Sequence, residues 1–371
     1  MKYFVLFISL LFGVQTLTQS QNLNQQLQKI MAGIYPSDQP GAALLVVQNG
    51  KAIFREGFGL ADLNEKRTIT PATNFRMASV SKQFRAMCIL TLWKEGKLKP
   101  QDPITKYLTG LPEFAKEITI WNLLTHSSGL EDYEDLIPQN RKTQVSDHDV
   151  LDLIRHSDSL YFKPGTRFRY SNTGFCMLAN IVEKVSGIRY QDFIATKIFE
   201  PLKMSHSMML QKNKEISGRA FGYHNGNGQW KFADQSITSA TMGDGCVYTS
   251  LNDYEKWMEG LWHQQLIKFD SAHSPLLPHI RINSMLDYGF GWFTTHEEDR
   301  SRADFHSGES TGFHNMVYHN PSKKLLIVIF SNSDDDRISQ AFDKVAEVMN
   351  VRLPFGVKEK SLFHVLSNIY E

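Results

Sequence analysis

The chain has 371 residues, 42% hydrophobic and 21% charged, which is enough apolar material for a large core and excludes wholesale disorder. Its 40 Lys and Arg stand against 39 Asp and Glu, leaving no charge excess to hold nucleic acid or an anionic membrane. Function is therefore expected in a cleft and not on a charged surface.

At the N-terminus, Lys2 precedes an apolar run from Phe4 to Val14, and the chain turns polar at Gln15 and through Thr18-Gln19-Ser20-Gln21. A basic start, a short apolar stretch and then small polar residues form the pattern of an export signal. The run is shorter than the roughly 20 apolar residues a membrane span needs, and no Cys follows it to carry a lipid. Residues 1–20 are thus expected to be a signal peptide and the product to be periplasmic or secreted, with residues 21–350 as one functional domain.

Gly41 to Arg55 reads as two strands joined at Asn49-Gly50, a dipeptide that favours a tight hairpin turn. From Ser79 to about Glu95, Phe84, Met87, Cys88, Leu90 and Trp93 recur at helical spacing. The middle of the chain reads as mostly helical. A clear helix runs from about Thr173 to Val185 and stops at Ser186-Gly187, where Gly suits a left-handed cap. Strand character returns at Phe313–Tyr318 and Leu325–Phe330 around the turn Asn320-Pro321-Ser322, and an amphipathic helix follows from about Arg337 to Met349. Residues 351–371 are weakly patterned and are expected to be a C-terminal tail. Strands at both ends with helices between them predict an α+β fold, with one antiparallel sheet built from both chain ends, flanked by helices and carrying a mostly helical insertion. Cys88, Cys176 and Cys246 are widely spaced in apolar company with no CxxC or Cys/His cluster, so buried free thiols are expected in place of a zinc site.

Three short patterns carry chemistry. Ser79-Val80-Ser81-Lys82 puts a hydroxyl and an amine three residues apart on one helix face, where a lysine of lowered pKa can take the serine proton. Against this stands the plain reading of Ser79 as a helix cap and Lys82 as a solvated residue. Tyr170-Ser171-Asn172 offers a phenol to move a proton and an amide to orient a carbonyl or the lysine. The same spacing recurs at Tyr223/Asn225 and Tyr318/Asn320, so it decides nothing alone. His306-Ser307-Gly308 would present a donor, a hydroxyl and a close-approach glycine to a substrate carboxylate, followed by Glu309. A rival nucleophile is Ser310 in Gly308-Glu309-Ser310-Thr311-Gly312, which matches a nucleophile elbow. That motif needs a strand before it and a helix after it, and here the following segment reads as a strand.

Taken together, Ser79-x-x-Lys82, Tyr170-x-Asn172 and His306-Ser307-Gly308 resemble the ordered motifs of the serine β-lactamase and penicillin-binding-protein family. The surrounding text agrees: Phe75-Arg-Met-Ala-Ser-Val-Ser-Lys, Leu123-Leu-Thr-His-Ser-Ser-Gly-Leu, Lys163-Pro-Gly-Thr-Arg-Phe-Arg-Tyr-Ser-Asn, Gly243-Asp-Gly and Tyr288-Gly-Phe-Gly-Trp. These also look like the class C branch, which includes D-Ala-D-Ala carboxypeptidases, D-amino-acid peptidases and esterases. The resemblance spans about Gly41 to Met349. It implies a β-lactamase/transpeptidase-like fold and a serine acyl-enzyme. Ser79 would be the nucleophile, with Lys82 and Tyr170 managing the proton and Asn172, His306, Ser307, Gly308 and Glu309 binding substrate. The oxyanion would lie between the backbone N–H groups of Ser79 and Glu309. No metal or cofactor is implied, and the partner is a small molecule or peptide, including peptidoglycan fragments. His306 stands where many β-lactamases have Lys, a pattern of peptidase and esterase relatives, and Cys246 where relatives often have Gly. The deacylating acid of class A enzymes has no match, which leaves deacylation to the Tyr170 and Lys82 side. The expected substrate is a D-amino peptide or β-lactam with a free carboxylate. The alternatives are a carboxylesterase of the same fold and a silent relative that binds without turnover. His126 is expected to be structural.

Overall fold

The computed structural model describes residues 21–211, 214–268, 280–354 and 362–370, so the expected signal peptide lies outside the described residues. Ala42–Gln48 (β1) and Lys51–Phe58 (β2) form the first hairpin. Asn49 and Gly50 turn it with φ of 54° and 76°, the double positive φ of a type I′ turn. Ile280–Arg281 (β3), Asp287–Gly289 (β4), Trp292–His296 (β5), Arg302–Ser310 (β6), Phe313–Asn320 (β7) and Leu325–Ser331 (β8) complete an antiparallel sheet. Its order is β3-β4-β5-β6-β7-β8-β1-β2, so the first strand pairs with the last, from Ala42 opposite Ser331 to Gln48 opposite Leu325.

Strands β1 and β8 read as unbroken apolar runs because both faces of the sheet are covered. Alternation then sends successive side chains to different cores. Ala43, Leu45 and Val47 of β1, with Leu326, Val328 and Phe330 of β8, enter a core shared with Lys82–Lys94 (α2) and Asn172–Ser186 (α3). Ala42, Leu44 and Val46, with Leu325, Ile327 and Ile329, face the other core. That second core is covered by a helix of residues 21–34 (α1), by Arg337–Val348 (α4) and by Leu362–Tyr370 (α5). The last helix corrects the expected tail: Leu362, Phe363 and Leu366 are buried against the sheet side.

Helix α2 is buried nearly all round, as befits a helix at the centre of a large domain. Helix α3 ends where expected, on Gly187 at φ 75°. The middle of the chain is less helical than expected. It includes the short hairpin Tyr223–Gly226 with Gln229–Phe232, and Phe75–Arg76, Met208–Met209 and Val247–Thr249 form a second small sheet. Among the described residues no helix is long and apolar enough to cross a membrane. Cys88, Cys176 and Cys246 are all buried and free.

Candidate active site

The small sheet leads the chain through Phe75–Arg76 directly into the segment that carries Ser79. Ala78 is held at φ 47°, a left-handed conformation that costs a residue with a side chain on the order of 1–2 kcal/mol. A 3₁₀ turn, Ala78–Ser81, follows and passes into α2 at Lys82, so the expected single helix from Ser79 begins as a tighter turn. The turn leaves Ser79 partly exposed while Ala78, Val80, Ser81 and Lys82 are buried. Strand β6 backs onto the same turn. A Cβ on Gly308 would lie 2.3 Å from the Met77 carbonyl oxygen, so only glycine admits this approach.

Lys82 is fully buried, and its Nζ has three neighbours: Asn172 Oδ1 at 2.8 Å, Ser79 Oγ at 2.9 Å and the Asp244 carbonyl oxygen at 3.4 Å. The Asp244 carbonyl can only accept. Asn172 presents its oxygen because its Nδ2 donates to Glu134 Oε1 at 3.1 Å. A neutral amine has two N–H donors and one lone pair. With both donors spent on fixed acceptors, the lone pair is left for the Ser79 hydroxyl. Burial lowers the Lys82 pKa to about 8, although Asp244, Asp132 and Glu134 pull it back upward.

Tyr170 and Asn172 straddle the start of α3. Tyr170 is 7% exposed, its ring centroid 4.8 Å from Lys82 Nζ, and it stacks on His126 at 4.2 Å. His126 accepts a hydrogen bond from the Ser171 N–H at Nδ1 and is held well below the usual histidine pKa, first by burial and then by Lys82. It supports the tyrosine from behind. Ser79, Lys82, Tyr170 and Asn172 are thus brought together.

The third motif is not assembled as expected. Side chains along β6 alternate, so His306 and Gly308 share one face while Ser307 and Glu309 share the other. His306 is fully buried beside Phe293, Tyr288 and Tyr170, and its Nδ1 donates to the Ser307 carbonyl. Burial and then the Lys82 charge push its pKa down to about 3, which keeps the ring neutral. Ser307 is also fully buried, its Oγ 3.5 Å from Glu309 Oε1, and that carboxylate accepts from Ser367 of α5 at 2.9 Å. The His306–Ser307 pair therefore does not face a common ligand, and Glu309 borders the cleft with its carboxylate turned to the C-terminal helix.

The cleft beside Ser79 has a volume of about 240 Å³. Its walls include Ala78, Asn172, Gly245, Glu309, Ser310 and Thr311, and also three charged residues absent from the expected site: Arg76, Glu134 and Asp244. Glu134 is exposed as a residue, yet its carboxyl end is crowded enough that lost solvation, then Asp132 and Asp244, raise its pKa to about 7. In sequence it belongs to Glu131-Asp132-Tyr133-Glu134-Asp135, an acidic run with every mark of a solvated surface. Asp244 sits in the quoted Gly243-Asp-Gly text, but nothing in its spacing signals that its carbonyl would hold Lys82. A larger, mainly apolar cavity of about 460 Å³, near Trp262 and His319, shares no lining residue with the cleft.

Comparison with known proteins gives the same frame. Penicillin-binding protein 4* of Bacillus subtilis (strain 168) is 30% identical over 359 residues, covering 92% of this chain and 79% of that protein. A solved penicillin binding protein from Bacillus halodurans matches with a TM-score of 0.76 at 27% identity, covering 87% of this chain and 98% of that one. D-amino acid amidase from Ochrobactrum anthropi SV3, solved with L-phenylalanine amide, matches in fold with a TM-score of 0.73 at 22% identity, covering 89% and 99%. The family model described as Beta-lactamase matches residues 23–348, which takes in every strand of the main sheet and the whole Ser79 cleft. The chain belongs to the beta-lactamase family of serine hydrolases.

Proposed function

We propose that this protein hydrolyses amide, lactam or ester bonds through an acyl-enzyme on Ser79, with D-amino peptides and β-lactams as the leading substrate classes. The observation that carries the reading is the set of contacts around Lys82, which puts Nζ 2.9 Å from Ser79 Oγ and, in the neutral amine, leaves its lone pair for that hydroxyl. Ser79 transfers its proton to Lys82 as Oγ attacks the carbonyl carbon. The oxyanion is received by the backbone N–H groups of Ser79 and Glu309. The proton then passes, with Tyr170, to the leaving group as the acyl–leaving-group bond breaks. Water then attacks the ester as it gives a proton to the same pair, and that proton passes to Ser79 Oγ as the acyl–Oγ bond breaks. Incubation with a panel of β-lactams, activated esters and D-amino peptides, followed by intact-mass and peptide mapping, tests the reading. An acyl adduct on Ser79 is expected, and an adduct elsewhere, or none with any member, would overturn it.

Tyr170 has a test of its own. Tyr170→Phe keeps the ring that packs on His126 and Lys82 and removes only the hydroxyl. Loss of a proton carrier is expected to lower kcat about 10²-fold or more, with KM little changed. A wild-type kcat would leave Tyr170 a packing role alone. Export through residues 1–20 belongs to the same proposal. N-terminal sequencing of product from the medium or periplasm is expected to begin near residue 21, and an uncleaved Met1 would contradict it.

A further inference from the structure

We infer that the apolar cavity beside Trp262 and His319 is a binding site for one single-chain carboxylate amphiphile, a free fatty acid of about twelve carbons. It shares no lining residue with the Ser79 cleft, so its occupant and that cleft's substrate are independent. The helix Leu251–Trp262 ends at the cavity, and the chain beyond it returns Leu266 and Ile267 to the same wall. Met87 of α2 adds a buried thioether, and the Asn49-Gly50 turn of the first hairpin closes another side. The polar pair in the wall is spent on itself. Trp262 Nε1 donates to His319 Nε2 at 2.8 Å, which leaves the proton of the neutral ring on Nδ1. Burial, and then the Arg302 charge, push the His319 pKa down to about 3, so the ring carries no charge. Asp304, 4.0 Å from that ring, is fully buried, spends Oδ1 on Arg302 and is not part of the cavity wall. The interior therefore offers a ligand mainly hydrocarbon contact.

The rim carries one sign of charge. Lys324 lines the cavity, is exposed, and has no ion-pair partner among the described residues, whereas Lys323 beside it is spent on Glu297 and Asp299. The Asn49 N–H donates to the Lys324 carbonyl at 3.0 Å, which ties this residue to the hairpin turn. His263, also exposed, is the other ionisable group of the rim, and no Asp or Glu lines the cavity. An apolar interior with one unpaired ammonium at its edge suits a hydrocarbon chain with an anionic end. Size sets the rest. At roughly 30 Å³ per non-hydrogen atom, a water's share of its liquid, the cavity of about 460 Å³ takes about fifteen such atoms. Dodecanoate has close to that number, and a two-chain phospholipid has far more.

Isothermal titration of the full chain with sodium dodecanoate, kept below its micellar concentration, tests the site. Saturable binding of a single equivalent is expected, with decanoate, two methylenes shorter, about tenfold weaker. Dodecyltrimethylammonium has the same chain and the opposite head charge, and should not saturate. Lys324→Glu, an exposed change, should weaken dodecanoate about three- to tenfold and leave the melting temperature of the free protein unaltered. Leu266→Trp should fill the cavity and abolish binding. A dodecanoate with a terminal diazirine should crosslink to the peptides that hold Met87 or Leu261–Ile267, a readout that needs no variant to fold. No saturable dodecanoate binding, equal binding of the ammonium, or crosslinks confined to the Ser79 cleft would overturn the site. Two further results would give the cavity to another occupant and overturn it as well. One is capture by phosphatidylglycerol vesicles with no binding of dissolved dodecanoate. The other is a dimer in sedimentation that Lys324→Glu separates and dodecanoate does not.

Discussion

Ser79→Ala is expected to lower turnover by about 10⁵–10⁶-fold, the scale on which a serine hydrolase loses rate with its nucleophile, and to abolish labelling by a serine-directed probe. Ser310→Ala is expected to remain labelled. Both serines border the cleft, so position does not separate them; their neighbours do. Ser79 has the Lys82 amine at 2.9 Å. Ser310 ends β6, pairs with Phe313 across a turn closed by Gly312, and its Oγ has no hydrogen-bond partner among the described residues. A hydroxyl without a base is a poor nucleophile. The elbow pattern is thus a hairpin turn, with a strand where the motif needs a helix. Labelling that persists in the Ser79 variant would remove the mechanism.

Lys82→Arg is expected to lower kcat by about 10³-fold or more, because a guanidinium keeps the charge and cannot become a base. The pH profile carries the sign. With a pKa near 8, roughly one Lys82 in ten holds the free amine at pH 7, so kcat/KM for a neutral ester should rise with pH and level off above about 8. The buried histidines do not compete for this limb, since His306 is pushed down to about 3 and His126 well below its ordinary value. Glu134, held up near 7, is the group that does, and the limb near 8 should therefore survive Glu134→Gln. A profile flat from pH 6 to 9, or a near-wild-type rate in Lys82→Arg, would exclude Lys82 as the base.

What was legible in the sequence was local. Asn49-Gly50 announces its hairpin because a type I′ turn demands positive φ twice, and Gly187 announces a helix end for the same kind of reason. Ser79 and Lys82 meet because helical spacing forces them to. The His306–Ser307 reading failed on an equally local rule: adjacent residues of a strand face opposite ways, so one ligand cannot take both side chains. Nothing in β6 says which face meets the cleft, because it is buried on both sides for most of its length. Glu134 was out of reach for another reason. Its place beside the cleft depends on Asp132 and Asn172 meeting across the fold, and an acidic run carries no trace of that contact. The helix Leu362–Tyr370 is only nine residues long, a length at which packing on the sheet, and not the local sequence, decides whether a helix forms.

The pairing of β1 with β8 also sets a clock. The platform beneath α2 has no central strand partner until residues 325–331 have been made, long after Ser79 has left the ribosome. Such long-range pairing closes late and slowly. Until it closes, Lys82 has no buried site, and an exposed lysine is an ordinary ammonium near pKa 10.4 that takes no proton from serine. A chain in which β1 and β8 have not paired therefore carries a serine without a base. The buried setting of Lys82 is complete only when the two ends of the polypeptide meet.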